Sequence, residues 1–381
     1  MLNNKKLLYF LSFMLMFSIG CEDEEAADND TDTMTMETPT EFVFESRFEE
    51  HAGESSVSYS GQVVRNLLVN DIKSLIASNV GGGNTAIINS MMANDDPNLA
   101  IYTGSSLNTL QTKYHDISTS QLNDRLAAVT SYDDPGYGAN AQDMITGWVA
   151  ESEMYSVRPG GLDLGQMTQK VMWGAIAYWQ GTSKYMSKIP NDDNTMSDDG
   201  DPYTAMEHHW DEGYGYFTDN NDYAQGTNRF WTKYANKSYM NGLGDEIAEA
   251  FRTGRAAITA SRLAGGDGLT YHADVLAQRD IIVAKVYRMA AGMAIHYLYD
   301  VKNSVAGGES ENNINHSFSE AYAFMYGLHT LNGGAWASSI AGMLQTIDEN
   351  PQGFIASSQS LDGTIAAIAD LAGITDPESF D

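Results

Sequence analysis

The chain has 381 residues, of which 51 are Asp or Glu and 21 are Lys or Arg, for a formal net charge of −30. So acidic a surface repels polyanions, which excludes nucleic acid as a partner and adhesion to anionic lipid headgroups. A hydrophobic fraction of 43% supplies a sizeable core, and with Cys21 the lone cysteine no internal disulfide can staple it.

The first 20 residues read as an export signal: Lys5 and Lys6, then "LLYFLSFMLMFSIG" up to Cys21. That apolar stretch falls short of the ~20 residues of a membrane span and has the length of a signal-peptide core. Gly20 before Cys21 fits cleavage by a lipoprotein signal peptidase, with Cys21 as the lipid-attachment residue. Ser18 and Ile19 depart from the commonest form of that motif, which prefers Leu and then a small residue. Residues 21–40 are acidic and free of aromatics, as a disordered tether would be. An outer-membrane lipoprotein, facing the cell surface or the periplasm, is the expected location. Residues 41–381 would be the folded part.

Helical periodicity governs the rest, and alternating strand patterns are scarce. In "SGQVVRNLLVNDIKSLIASNV", Ser60 is expected to cap a helix carrying Val64, Leu67, Leu68 and Ile72 on one stripe, stopped by the glycines at 81–83. Further helices are expected over 104–116, 120–130, 140–154 and 162–189, the last apolar on most sides and therefore central. The loop "PNDDNTMSDDGDPY" is acidic enough to wrap calcium, although its spacing is not that of the regular twelve-residue calcium loop. Helices follow over 203–217, 244–261, 273–302 and 313–331, then two shorter ones before the small-residue tail. The expected fold is all-α, a helical bundle organised as two packed bundles.

Two stretches carry groups capable of chemistry. In "HHWDEGYGYF", 100° per residue puts His209 and Glu212 about 60° apart with Tyr216 between them, beside an apolar face of Trp210, Tyr214 and Phe217. His208 lies to one side, within reach of Glu212. In "NINHSFSEAYAFMYGLHTLN", His316 and Glu320 share a face about 40° wide on a helix apolar on both sides. Imidazole and carboxylate together suit iron, manganese or zinc. Two inward His–Glu pairs match the way bundles assemble metal sites. His209, Glu212, His316 and Glu320 are therefore expected to meet across a cleft as metal ligands, with His208 and Tyr216 behind them. Two buried His–Glu hydrogen bonds without a metal would leave the same pattern. Lys285 and His296, on the helix over 273–302, read as packing or surface.

"SSVSYSGQVVRNLL", "HHWDEGYGYF" and "NHSFSEAYAFMYGL" together resemble a family of bacterial lipoproteins known as domain of unknown function 4856, over roughly residues 40–381. That family is similar in turn to the imelysin-like proteins, whose hallmark is His-x-x-Glu. His209 and Glu212 match it, although residue 207 is Glu where the imelysin signature has Gly. The resemblance implies two helical bundles and a lipoprotein of iron acquisition, binding iron, another divalent transition metal or haem beside an outer-membrane uptake receptor. An imelysin-type metal peptidase with Glu212 as general base is the alternative in mechanism. A glycan-binding lipoprotein, motivated by 21 Tyr and 6 Trp, is the alternative in class.

Overall fold

The computed structural model describes residues 37–93, 147–158, 160–225 and 230–381. The signal segment, Cys21 and most of the tether lie outside the described residues, as do the helices expected over 104–116 and 120–130 and the start of that over 140–154.

The described residues are all-α, with only isolated bridges and no strand among them. Before the first helix, an extended stretch places Phe42 and Phe44 in the core, Phe42 stacked on Tyr214 with ring centroids 3.9 Å apart. Helix α1 (Ser60–Ala77) begins one residue earlier than a Ser60 cap would place it. Tyr59 is at the cap position without a side-chain bond. Val69, Ile72, Leu75 and Ile76 form its buried stripe, and Ser78 Oγ returns to the carbonyls of Ser74 and Leu75 at its end. Helix α2 (Thr85–Ala93) follows.

Helix α3 (Leu164–Trp173) starts where Asp163 accepts a hydrogen bond from the Gln166 amide, and every one of its residues is buried. It continues without a break into a wide-turned π-helical segment, Gly174–Met186. Helix α4 (Ala205–Phe217) is fixed at its start by a reciprocal box, Thr204 Oγ1 taking the Glu207 amide while the Glu207 carboxylate takes that of Thr204. Then come α5 (Phe230–Ala235), α6 (Leu243–Leu263), α7 (His272–Gly307) and α8 (Glu311–Gly327). The final part holds α9 (Ala337–Glu349), α10 (Pro351–Ile355) and α11 (Ser358–Ala372). Asn350 and Pro351 split what the periodicity reads as two helices into three.

The helices α1, α3, α8, α7, α6 and α4 touch in sequence around a closed ring, and the segment 174–186 runs against α4, α7 and α8. One continuous apolar core fills it, so the halves expected as two bundles share their interior. Helix α7 is long and apolar enough to cross a membrane by length and composition. Its apolarity is that of a core element, with residues 289–295 buried and α6, α8 and α11 packed on it.

Gly174 and Gly327 bring two backbones into close approach. A Cβ on Gly174 would stand 2.4 Å from the Gly327 Cα, whereas one on Gly327 would stand 3.2 Å from the Gly174 Cα. Backbone cannot yield as a flexible side chain does, so overpacking here costs about 1–3 kcal/mol. Gly174→Ala is expected to destabilise more than Gly327→Ala in urea denaturation. Gly342→Ala, with nothing within 4 Å on the exposed face of α9, should be neutral or slightly stabilising.

Candidate ligand basin

The aromatic face of α4 is core: Trp210, Tyr214, Tyr216 and Phe217 are all buried. The buried ions of this helix are not the expected pair but Glu207 and Asp211, one turn apart and 1% and 0% exposed. Both are held by Arg255 of α6, itself wholly buried: Nη1 donates to Glu207 Oε1 at 2.7 Å and Nε to Asp211 Oδ1 at 2.9 Å. The same guanidinium donates to Thr259 Oγ1 at 2.7 Å and Ser56 Oγ at 2.8 Å. One cation between two carboxylates leaves an excess negative charge in the core. Burial accordingly pushes the Asp211 carboxyl up to about 7, against the opposing pull of Arg255 and with the Glu207 charge adding to the rise.

His209 and Glu212 do project to one side of α4, but they serve different neighbours. His209 Nδ1 meets Asp192 Oδ2 at 2.8 Å and Nε2 meets Lys188 Nζ at 2.7 Å. Glu212 accepts from Gln62 Nε2 of α1 at 2.6 Å, with His208 Nε2 at 3.9 Å. His208 stacks on Tyr203 at 4.5 Å, and burial lowers its pKa despite the Glu212 charge.

On α8, Glu320 is buried while the His316 side chain is half exposed, with Nε2 3.9 Å from Glu320 Oε1. Lys170 of α3 takes that oxygen at 2.7 Å. The two His–Glu pairs are thus not brought together, and the shared cleft is not formed. No group of three or more His, Cys, Asp and Glu able to hold a metal stands together among the described residues. The physical reason is compensation. A buried carboxylate needs a counter-charge, and Arg255 and Lys170 supply it from neighbouring helices.

Two carboxylates of the acidic loop are engaged within the loop itself. Asp193 Oδ1 accepts from the Thr195 amide and hydroxyl at 2.6 and 2.7 Å, and Asp201 Oδ2 from the Tyr203 hydroxyl at 2.9 Å. Lys285 pairs with Glu246, and His296 Nδ1 bonds the Phe380 carbonyl at 2.7 Å.

Around Lys170 lies a cavity of about 310 Å³, walled by α1, α3, α5, α7 and α8. Lys170 donates to Gln166 Oε1 at 2.6 Å and Gln169 Oε1 at 2.8 Å as well as to Glu320. An ammonium has no acceptor, so both amides must turn their oxygens to it and keep nitrogen for other partners. Gln169 Nε2 passes this polarity on to Asn70 Oδ1 at 2.6 Å, leaving the Asn70 nitrogen as a donor. Lys73 and Lys233 also line the cavity, with His316 beside them. Burial lowers Lys170 to about 8 against the pull of Glu320, and the charges of Lys73 and Lys233 lower it further. Burial pushes Glu320 up, but Lys170 and a hydrogen bond from the Tyr297 phenol reverse this and hold it below the usual carboxylate range.

Three lysines against one carboxylate, with amide donors between them, make a basin for an anion. A bare metal cation does not fit: Lys170 already occupies the Glu320 oxygen, and two further ammonium groups repel a cation. None of these lysines stood out in the sequence as a site residue. Lys170 was recognisable as a charge inside an otherwise buried helix.

The raised carboxyl of Asp211 has a consequence for stability. The folded state holds this proton to about pH 7, while the unfolded chain releases it near the ordinary carboxyl value of 3.8. Its contribution is therefore complete below about pH 4 and lost as pH rises to about 7. Asp71, raised by burial to about 6, adds in the same sense. Urea midpoints are expected to fall from pH 5 to pH 7.5, and Asp211→Asn to flatten that slope.

No curated protein and no solved structure matches this chain. One family model does, described as "Domain of unknown function (DUF4856)", over residues 41–374. That match spans α1 to α11 and every helix that walls the basin, and the chain belongs to the DUF4856 family.

Proposed function

We propose that this protein is a binding lipoprotein, anchored through Cys21 in the outer membrane, that captures a small carboxylate- or phosphate-bearing anion in the Lys170 basin. The observation that carries this reading is the gathering of Lys73, Lys170 and Lys233 around one neutralised glutamate in a chain of net charge −30. Local positive potential inside an acidic envelope favours an anion in the basin, and amide donors add direction to it.

A role in iron acquisition then takes a particular form. Iron enters as an anionic polycarboxylate complex rather than as a bare ion, for delivery to an outer-membrane uptake receptor. A peptidase role has less support, because Glu212 is engaged by Gln62. Glycan stacking has less support as well: Trp173 and Tyr234, which line the basin, are only 3% and 1% exposed and pack on each other.

Titration calorimetry on the purified chain with citrate, ferric citrate and inorganic phosphate, against ferrous and zinc salts, tests the reading. Saturable binding of at least one anion is expected, weakened roughly tenfold by Lys73→Gln or Lys233→Gln, the loss of about one charge-assisted hydrogen bond. Stoichiometric binding of the bare cations with no response to any anion would overturn it. Cys21→Ser is expected to release the protein from the membrane fraction.

A further inference from the structure

A second group of side chains, independent of the basin, has the arrangement of an activated amine. Lys188 ends the helical run that begins at Leu164, Asp192 lies just past the following turn, and His209 faces both from α4. The proton positions on His209 are fixed by its partners. A carboxylate only accepts, so Nδ1 donates to Asp192 Oδ2 at 2.8 Å; an ammonium only donates, so Nε2 accepts from Lys188 Nζ at 2.7 Å.

Amine, imidazole and carboxylate therefore stand in line, the base within hydrogen-bond reach of the nucleophile and oriented by a third group. The Tyr185 ring covers one side, 5.9 Å from His209 and 5.4 Å from Lys188 Nζ, and the His208 ring lies 6.2 Å from that of His209. Lys188 and His209 are both only partly buried, so a small molecule has access. A purely structural ion pair would put Lys188 on Asp192. Here the imidazole is interposed between them.

The geometry points to Lys188 as a covalent site for small aldehydes. The Lys188 ammonium passes a proton to His209 Nε2, and the free amine adds to the carbonyl carbon, forming the C–N bond. His209 returns the proton to the carbonyl oxygen. The carbinolamine then loses that oxygen as water, giving the protonated imine: one ammonium and one aldehyde become one iminium and one water. Asp192, hydrogen-bonded to Nδ1, orients the imidazole and faces the positive charge that forms on it.

The test is reductive trapping. The full chain is incubated with propionaldehyde and cyanoborohydride, and initial labelling at each lysine is read by peptide mass spectrometry. Lys188 is expected to label at least about tenfold faster than Lys285 and Lys302, whose ammonium groups are tied to carboxylates, as proton transfer by a positioned base allows. His209→Gln, which can still accept a hydrogen bond but cannot shuttle a proton, should bring Lys188 down to their rate. Asp192→Asn should do so in part, each with an unchanged far-UV spectrum. Equal labelling of Lys188 and the two reference lysines in the unaltered chain would overturn the assignment, as would full reactivity in His209→Gln.

Discussion

The described fold depends on one buried guanidinium. Arg255 ties α6 to α4 through Glu207 and Asp211, and reaches the extended N-terminal stretch through Ser56 and the Phe44 ring, 4.8 Å from its carbon. Those contacts decide how α4 is rotated. With its two carboxylates turned to Arg255 and its aromatics to the core, His209 must face Asp192 and Lys188, and Glu212 must face α1. Losing one partner of such a buried network costs about 3–5 kcal/mol, a large part of the 5–15 kcal/mol that holds a typical domain together.

Lys170 repeats the logic at the other side of the ring, with a different outcome. Arg255 is wholly buried, with its donors on Glu207, Asp211, Thr259 and Ser56. Lys170 is equally buried, yet the groups it orders, Gln166, Gln169 and through it Asn70, reach a cavity. An ammonium with all its protons spent cannot itself seize a ligand. It sets the direction of the neighbouring amides, while Lys73, Lys233 and His316 remain to meet the incoming charge.

The all-helical character was legible from the 3.6-residue spacing of apolar side chains, and the run over 162–189 was recognisable as central. Phe42 and Phe44 were not, because two aromatics beside an acidic segment have no period to read. Nor was the widening of turns past Gly174, where Gly327 approaches from a helix 153 positions away. For the site, helical geometry puts His209 with Glu212 and His316 with Glu320 on common faces, and the second pair stands 3.9 Å apart. It could not show which helix lies opposite. Glu320 pairs by spacing with His316, whereas its close partner is Lys170, the one charge within "GQMTQKVMWGAI"; Glu207 and Asp211 carry no such spacing signal, and their partner is Arg255 on another helix. A single charge inside a buried helix demands an opposite charge from another element, and that is the signal to read.

The contrast between a positive basin and a chain of net charge −30 bears on rates as well as affinity. An anion approaching from bulk solvent first meets a repulsive field and feels the lysines only at close range. Salt shortens the reach of that outer field, to about 8 Å at 0.15 M ionic strength, while a partly enclosed cavity is screened much less. Association should therefore quicken as ionic strength rises, the reverse of the usual electrostatically steered encounter. Such a binding protein would work best in brine.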